Sequence, residues 1–177
     1  MLKLQSNAPP RAPRLVEMPA QSMAVVYTRG EPAAAAKQAL PALYSALYGL
    51  RSAWQHQGRG FKVGPLRARW PDAHLVPKER WTGVWGLPLP DGVDTVPEKK
   101  PGVAIKREVW EYGTVAEILH VGPYAMEGPT VQRLRDFIAE HGYEIWGPHE
   151  EEYLTSPRAR VQKTLIRYVV RRKERER

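Results

Sequence analysis

Three consecutive carboxylates, Glu150-Glu151-Glu152, stand directly before Tyr153-Leu154 and are the residues of this chain best suited to chemistry. The surrounding pattern predicts a strand over Glu150 to Thr155. Glu is depleted in strands, and adjacent like charges repel, so the run needs a reason. Alternation puts Glu151 and Tyr153 on one face, with Glu150, Glu152 and Leu154 on the other. One reading is an exposed edge strand kept soluble by its charge. The other turns Glu151 into a cleft. There, aromatic faces would help it hold a cation, or desolvation would raise its pKa and make it a general base.

Aromatic residues supply the walls such a cleft would need. The chain has six tryptophans, more than a core of this size usually requires. Trp70, Trp81, Trp85, Trp110, Tyr112, Tyr124 and Tyr153 all fall on predicted strands or at their ends. The candidate ligand-binding set is therefore Glu151, Tyr153, Trp81, Trp85, Trp110, Tyr112 and Tyr124, with Glu151 as the catalytic group if the protein is an enzyme. Trp110 or Tyr112, and Trp81 or Trp85, are expected to share the cleft of Glu151.

Several other chemistries are excluded or weak. The absence of cysteine removes disulfides, thiolate metal sites and a Cys nucleophile. His120 and His141 lack ligand spacing, and a metal on His149 with Glu151 would need a third ligand that the sequence does not indicate. No phosphate loop, nucleophile elbow or dinucleotide fingerprint is present, so no cofactor is expected. The net charge of +8 comes without a nucleic-acid-binding signature and partly from a basic end, so it reads as solvated surface. No signal peptide or spanning segment is visible, which predicts a soluble cytoplasmic protein that contacts neither membrane nor nucleic acid.

The elements that must position these residues occur twice. Met23 to Gly30 is β-rich and ends at glycine before Glu31-Pro32 opens a helix. Thr114 to Gly122 repeats this before Gly128-Pro129 opens a second one. Leu40, Leu43, Leu47, Leu50 and Trp54 share a face of the first helix, which Pro41 should kink or split. Val131, Leu134, Ile138 and His141 share a face of the second, which stops at Gly142.

Each helix precedes a Gly-Pro and two strands: Leu66 to Trp70 and Trp81 to Leu89, then Glu150 to Thr155 and Lys163 to Arg171. A further strand, Val103 to Tyr112, could pair as a hairpin through Gly113, with Leu15 to Met18 as its counterpart. The expected fold is α+β, made of duplicated βαββ units over 15–90 and 103–171 with pseudo-two-fold symmetry. Its antiparallel sheet would carry both helices on one side and a concave ligand cleft on the other. Residues 88–101 form the linker, 1–14 a flexible tail, and 172–177 a basic one.

The stretches Ile118-Leu119-His120-Val121-Gly122-Pro123-Tyr124, Glu127-Gly128-Pro129-Thr130, Gly142-Tyr143 and Glu151-Glu152-Tyr153-Leu154-Thr155-Ser156-Pro157 resemble the GyrI-like small-molecule-binding family, which also supplies effector domains to multidrug-responsive regulators. The resemblance is closest over 103–171 and looser in the first half, through Phe61 to Leu66 and Lys78 to Trp81. It implies the duplicated βαββ fold and a pocket glutamate two residues before the tyrosine of the Tyr-Leu pair, which is Glu151. This chain departs from the pattern at Glu152, where an apolar residue is usual, and at Thr155-Ser156, where Ser-Asp is common. With no DNA-binding domain it resembles the stand-alone members, some of which are hydrolases that open cyclopropane rings in alkylating natural products. The expected ligand is a cationic or amphipathic aromatic molecule, held for sensing or sequestration. The alternative is hydrolysis of such a strained electrophile with Glu151 activating water.

Overall fold

Two prolines start the two helices that frame this fold. In the computed structural model, which describes residues 11–174, α1 spans Pro32–Gln55 and α2 spans Gly128–Glu140. A proline in the first turn loses no hydrogen bond, because that N–H would be unpaired anyway. Pro41 does not split α1, which runs through it as one helix. Ala39, Ala42, Leu43, Ala46 and Leu47 are buried around that position, and their packing outweighs the lost backbone bond.

Among the described residues nine strands accompany the helices: β1 Arg14–Met18, β2 Gln21–Arg29, β3 Arg67–Trp70, β4 Thr82–Pro88, β5 Lys106–Trp110, β6 Gly113–Val121, β7 Tyr143–Ile145, β8 His149–Tyr153 and β9 Lys163–Arg172. Eight form one antiparallel sheet in the order β1-β6-β9-β8-β3-β4-β2-β5, and β7 pairs with β9 beside it. The order reads alike from either end, with β8 and β3 meeting at the centre. The α+β class and the antiparallel sheet with both helices on one side agree with the sequence. The short strand β7 is additional.

Arg14 and Arg172 lie in strands rather than in the tails assigned to 1–14 and 172–177. Residues 1–10 and 175–177 of those tails lie outside the described residues.

Strand pairing differs from the expected hairpin in one respect. β5 pairs with β2, and β6 pairs with β1, so each strand that precedes a unit joins the other unit. The two-residue connections Pro19-Ala20 and Glu111-Tyr112 lack the Asn-Gly or Gly-first chemistry of a tight hairpin turn, so the chain crosses over instead of reversing. The exchange brings the two ends of the sheet together. Val16, Met18, Val115 and Val169 from one end pack with Met23, Val25, Val84 and Trp110 from the other, which curls the sheet into a half-barrel. Gly86 admits this packing, since a Cβ there would lie 2.9 Å from both Met23 and Trp110.

The inside of the curl is therefore filled. Its middle holds an ion network rather than a cleft. Glu150 accepts from Arg69 (2.7 Å), Arg167 (3.0 Å) and the Tyr112 hydroxyl (2.9 Å), while Glu152 accepts from Arg67 (2.8 Å) and Arg167 (2.9 Å). Burial works against the charge of Arg167, but the carboxylates of Glu152, Glu150 and Glu117 outweigh it and raise its pKa. Removing one partner from such a buried set strands the others without compensation. Arg167→Ala should cost about 3–5 kcal/mol by chemical denaturation. Arg171→Ala, which breaks an exposed pair with Glu144 and an exposed stack on Trp146, should change stability by less than about 1 kcal/mol. Equal effects would show that the network inside the curl carries no special weight.

Candidate functional site

β8 lies between β3 and β9 at the centre of the sheet, so its acidic run is not a solvated edge. Alternation sends Glu150 and Glu152 into the curl and Glu151 to the helix-bearing face, where it pairs across to Ala68 and Ile166. The cleft that contains Glu151 is thus on the side of the helices, not opposite them. It is a cavity of about 290 Å³ between α2 and the β3–β4 loop, with Trp70, Trp81, Glu127, Arg135, His149 and Glu151 among its walls. Its volume is at the low end of ligand pockets, enough for a small ring system.

Glu151 is 7% exposed and fully engaged. His149 Nε2 lies 3.0 Å from Oε1, and the Tyr153 hydroxyl donates to Oε2 at 2.5 Å. The carboxylate requires Nε2 to donate, so a neutral His149 ring accepts at Nδ1 from the Tyr168 hydroxyl, 2.8 Å away. Burial pushes the Glu151 carboxyl up, but the contacts with His149 and the Tyr153 hydroxyl more than reverse this and hold it below its ordinary value. Burial, followed by the Glu151 charge, pushes the Tyr153 hydroxyl well above its own.

The second carboxylate of the site is Glu127, which the sequence does not single out. Glu31 and Glu127 occupy matching places before the two helices. Glu31 caps α1 by accepting from Ala34 N at 3.0 Å. Glu127 makes no such cap with α2. Its side chain turns into the pocket instead, where Oε2 is buried without a hydrogen-bond partner. Burial, then the neighbouring Glu151 charge, raises its pKa to about 7. An acid before Gly-Pro reads as a helix cap, and only the fold shows that this one faces another carboxylate.

The remaining predicted residues divide between the two faces. Trp81 lines the pocket, fixed by Nε1 donating to Val76 O at 3.1 Å. Trp85 is buried behind Trp70 (5.1 Å between centroids) and bonds Thr28, so it backs the wall without reaching the cavity. Gly83 makes room for that stack, since a Cβ there would sit 2.8 Å from Trp85 Nε1 and 3.1 Å from Trp70. Tyr124 meets Tyr153 edge to face at 5.6 Å, beside Glu151.

Trp110 and Tyr112 do not share this cleft. Both lie inside the curl, where Arg69 stacks over Trp110 at 3.9 Å and Tyr112 binds Glu150. Register explains it: β5 pairs at the edge with β2, so Trp110 packs with Met23 over Gly86 on the face away from the helices.

Glu127, His149 and Glu151 bring three possible ligand atoms within 4.8 Å of one another, and Glu127 supplies the third group that His149 and Glu151 lacked in the sequence. The His149 and Glu151 atoms already satisfy each other, and Tyr153 takes the other oxygen.

The model of the GyrI-like small molecule binding domain matches residues 11–171. The chain belongs to the GyrI-like family. An uncharacterised conserved protein from Listeria innocua is 27% identical with a TM-score of 0.80, covering 93% of this chain and 94% of that one. A hydrolase from Listeria innocua is 25% identical with a TM-score of 0.79, covering 93% and 94%. No curated protein matches the sequence. As a family member, the chain is a small-molecule-binding protein, and among the described residues no helix is long and apolar enough to cross a membrane.

The raised pKa of Glu127 has a consequence for stability. Its ordinary value is 4.5 and its folded value is about 7, so the folded protein holds the proton more tightly than the unfolded chain. The stability this proton contributes is complete below about pH 4.5 and is lost as the pH rises through 7. Glu127→Gln keeps the shape without the charge, and should stabilise the protein by about 1–2 kcal/mol at pH 8 after allowance for solvent screening. The melting temperature should rise by about 3–6 °C there and converge with the parent below pH 5. A lower melting temperature at pH 8 would show that the carboxylates do not oppose each other.

Proposed function

We propose that this pocket binds a small amphipathic aromatic molecule and, where that molecule carries a strained electrophilic ring such as a cyclopropane, adds water to it. The observation that carries the reading is the pair Glu127 and Glu151. These two neighbouring carboxyls have pKa values driven in opposite directions, and the Glu127 oxygen is left unpaired toward the cavity. Such a split assigns an acid and a base at neutral pH. Similarity to a Listeria innocua protein named as a hydrolase supports the same direction.

In this mechanism Trp70 and Trp81 hold the flat part of the substrate. Glu151 takes a proton from a water as its oxygen bonds to the ring carbon. The strained C–C bond breaks, and its electron pair is delivered to a conjugated acceptor, which receives the proton of Glu127. The proton then returns from Glu151 to Glu127 across the short gap between them, and the product is substrate plus one water.

A second reading has support in the same geometry. Both Glu151 oxygens are already held, by His149 and Tyr153, which suits a fixed negative charge for binding a cationic ligand without turnover. Incubation with cyclopropane-bearing electrophiles and cationic dyes, followed by mass spectrometry, separates the two. Hydrolysis predicts a product heavier by one water, and a rate loss of about 10²-fold or more in Glu127→Gln and Glu151→Gln. Because Glu127 must carry its proton, kcat/KM should fall as the pH rises above about 7. Activity that climbs through that range would reverse the assigned roles, and bound but unchanged substrate would leave the binding role alone.

A further inference from the structure

The pocket has two electrically different ends. Its floor holds Glu127 and Glu151, and its rim holds Arg135 from α2 and His74 from the β3–β4 loop, both exposed. Among the described residues no carboxylate pairs with Arg135. Its side chain donates to the Tyr168 hydroxyl, 3.5 Å from Nη2, and its guanidinium stands 5.8 Å from that ring. A contact of 3.5 Å is at the limit of a hydrogen bond and engages one N–H of the guanidinium. Most of the five N–H donors of Arg135 are therefore uncommitted at the pocket mouth. Lys78, 5.9 Å over Trp81, adds a second positive charge on the loop side.

We infer that the ligand of this site is dipolar. Its electron-poor or cationic end faces Glu127 and Glu151, its rings lie against Trp70 and Trp81, and its outer end carries a carboxylate that Arg135 binds. The inference rests on the pocket being the ligand site, and adds to that reading a chemical class and a specificity residue. Guanidinium is suited to the outer role because its planar fork matches a carboxylate with two parallel bonds. The net charge of +8 also favours approach of a ligand with its anionic end foremost.

Two probes decide it: an aminomethyl-biphenyl with a carboxylate at its far para position, and the same compound without the carboxylate. Binding is read by tryptophan fluorescence, with a thermal melt of each variant as the control for folding. The protein should bind the carboxylate compound about tenfold more tightly than its partner. Arg135→Gln should bring the two affinities together, and Arg135→Lys should restore part of the difference. Equal affinities in the unaltered protein, or a preference that survives Arg135→Gln, would overturn the inference while leaving the pocket in place. Binding of neither compound would overturn it together with the pocket itself.

Discussion

Pairing of β8 with β3 at the middle of the sheet is the constraint on which the rest depends. A strand with neighbours on both sides and packed structure on both faces has no solvent in which to place three carboxylates. Glu150 and Glu152 are consequently bound to Arg67, Arg69 and Arg167 inside the curl. Those arginines come from β3 and β9, the two strands flanking β8, so the same contacts that neutralise the acids also fix the register. With the register held, Glu151 can only face the helices.

The site that results is asymmetric although the strand order is nearly symmetric. Across the central pairing, Glu151 stands opposite Ala68, so one half supplies polar chemistry and the other leaves space. The first half provides Trp70 and Trp81, and the second provides Glu127, His149, Glu151 and Tyr168. Glu31 and Glu127 show how matching positions diverge: one serves its own helix, the other abandons that role for a buried carboxylate neighbour. A helix N-terminus left without its cap and an oxygen left without a partner both cost free energy, which the surrounding fold sustains.

Charge inside the two faces is handled in different ways. Within the curl, Glu117, Glu150 and Glu152 each have a guanidinium, and the set is a structural one. In the pocket the carboxylates have a histidine and a tyrosine, which orient Glu151 but leave the pair with one negative charge too many. Burial, reinforced by that excess, lifts Glu127 and makes its proton available near neutral pH. Adjacent glutamates of one strand thus have opposite uses.

The sequence by itself determined the element types, the helix starts at Pro32 and near Pro129, and the separation of Glu151 and Tyr153 from Glu150 and Glu152. These follow from local rules: proline geometry, helical spacing and strand alternation act over a few residues. The tertiary structure alone decided which face held the pocket and which aromatics reached it. Trp110 and Tyr112 fell inside the curl because β5 pairs with β2 rather than β6, an exchange between segments some 80 residues apart that no local pattern encodes. The role of Glu127 was settled in the same way. Its type and place before α2 match those of a helix cap, and only the approach of β8 from a distant part of the chain puts a second carboxylate against it.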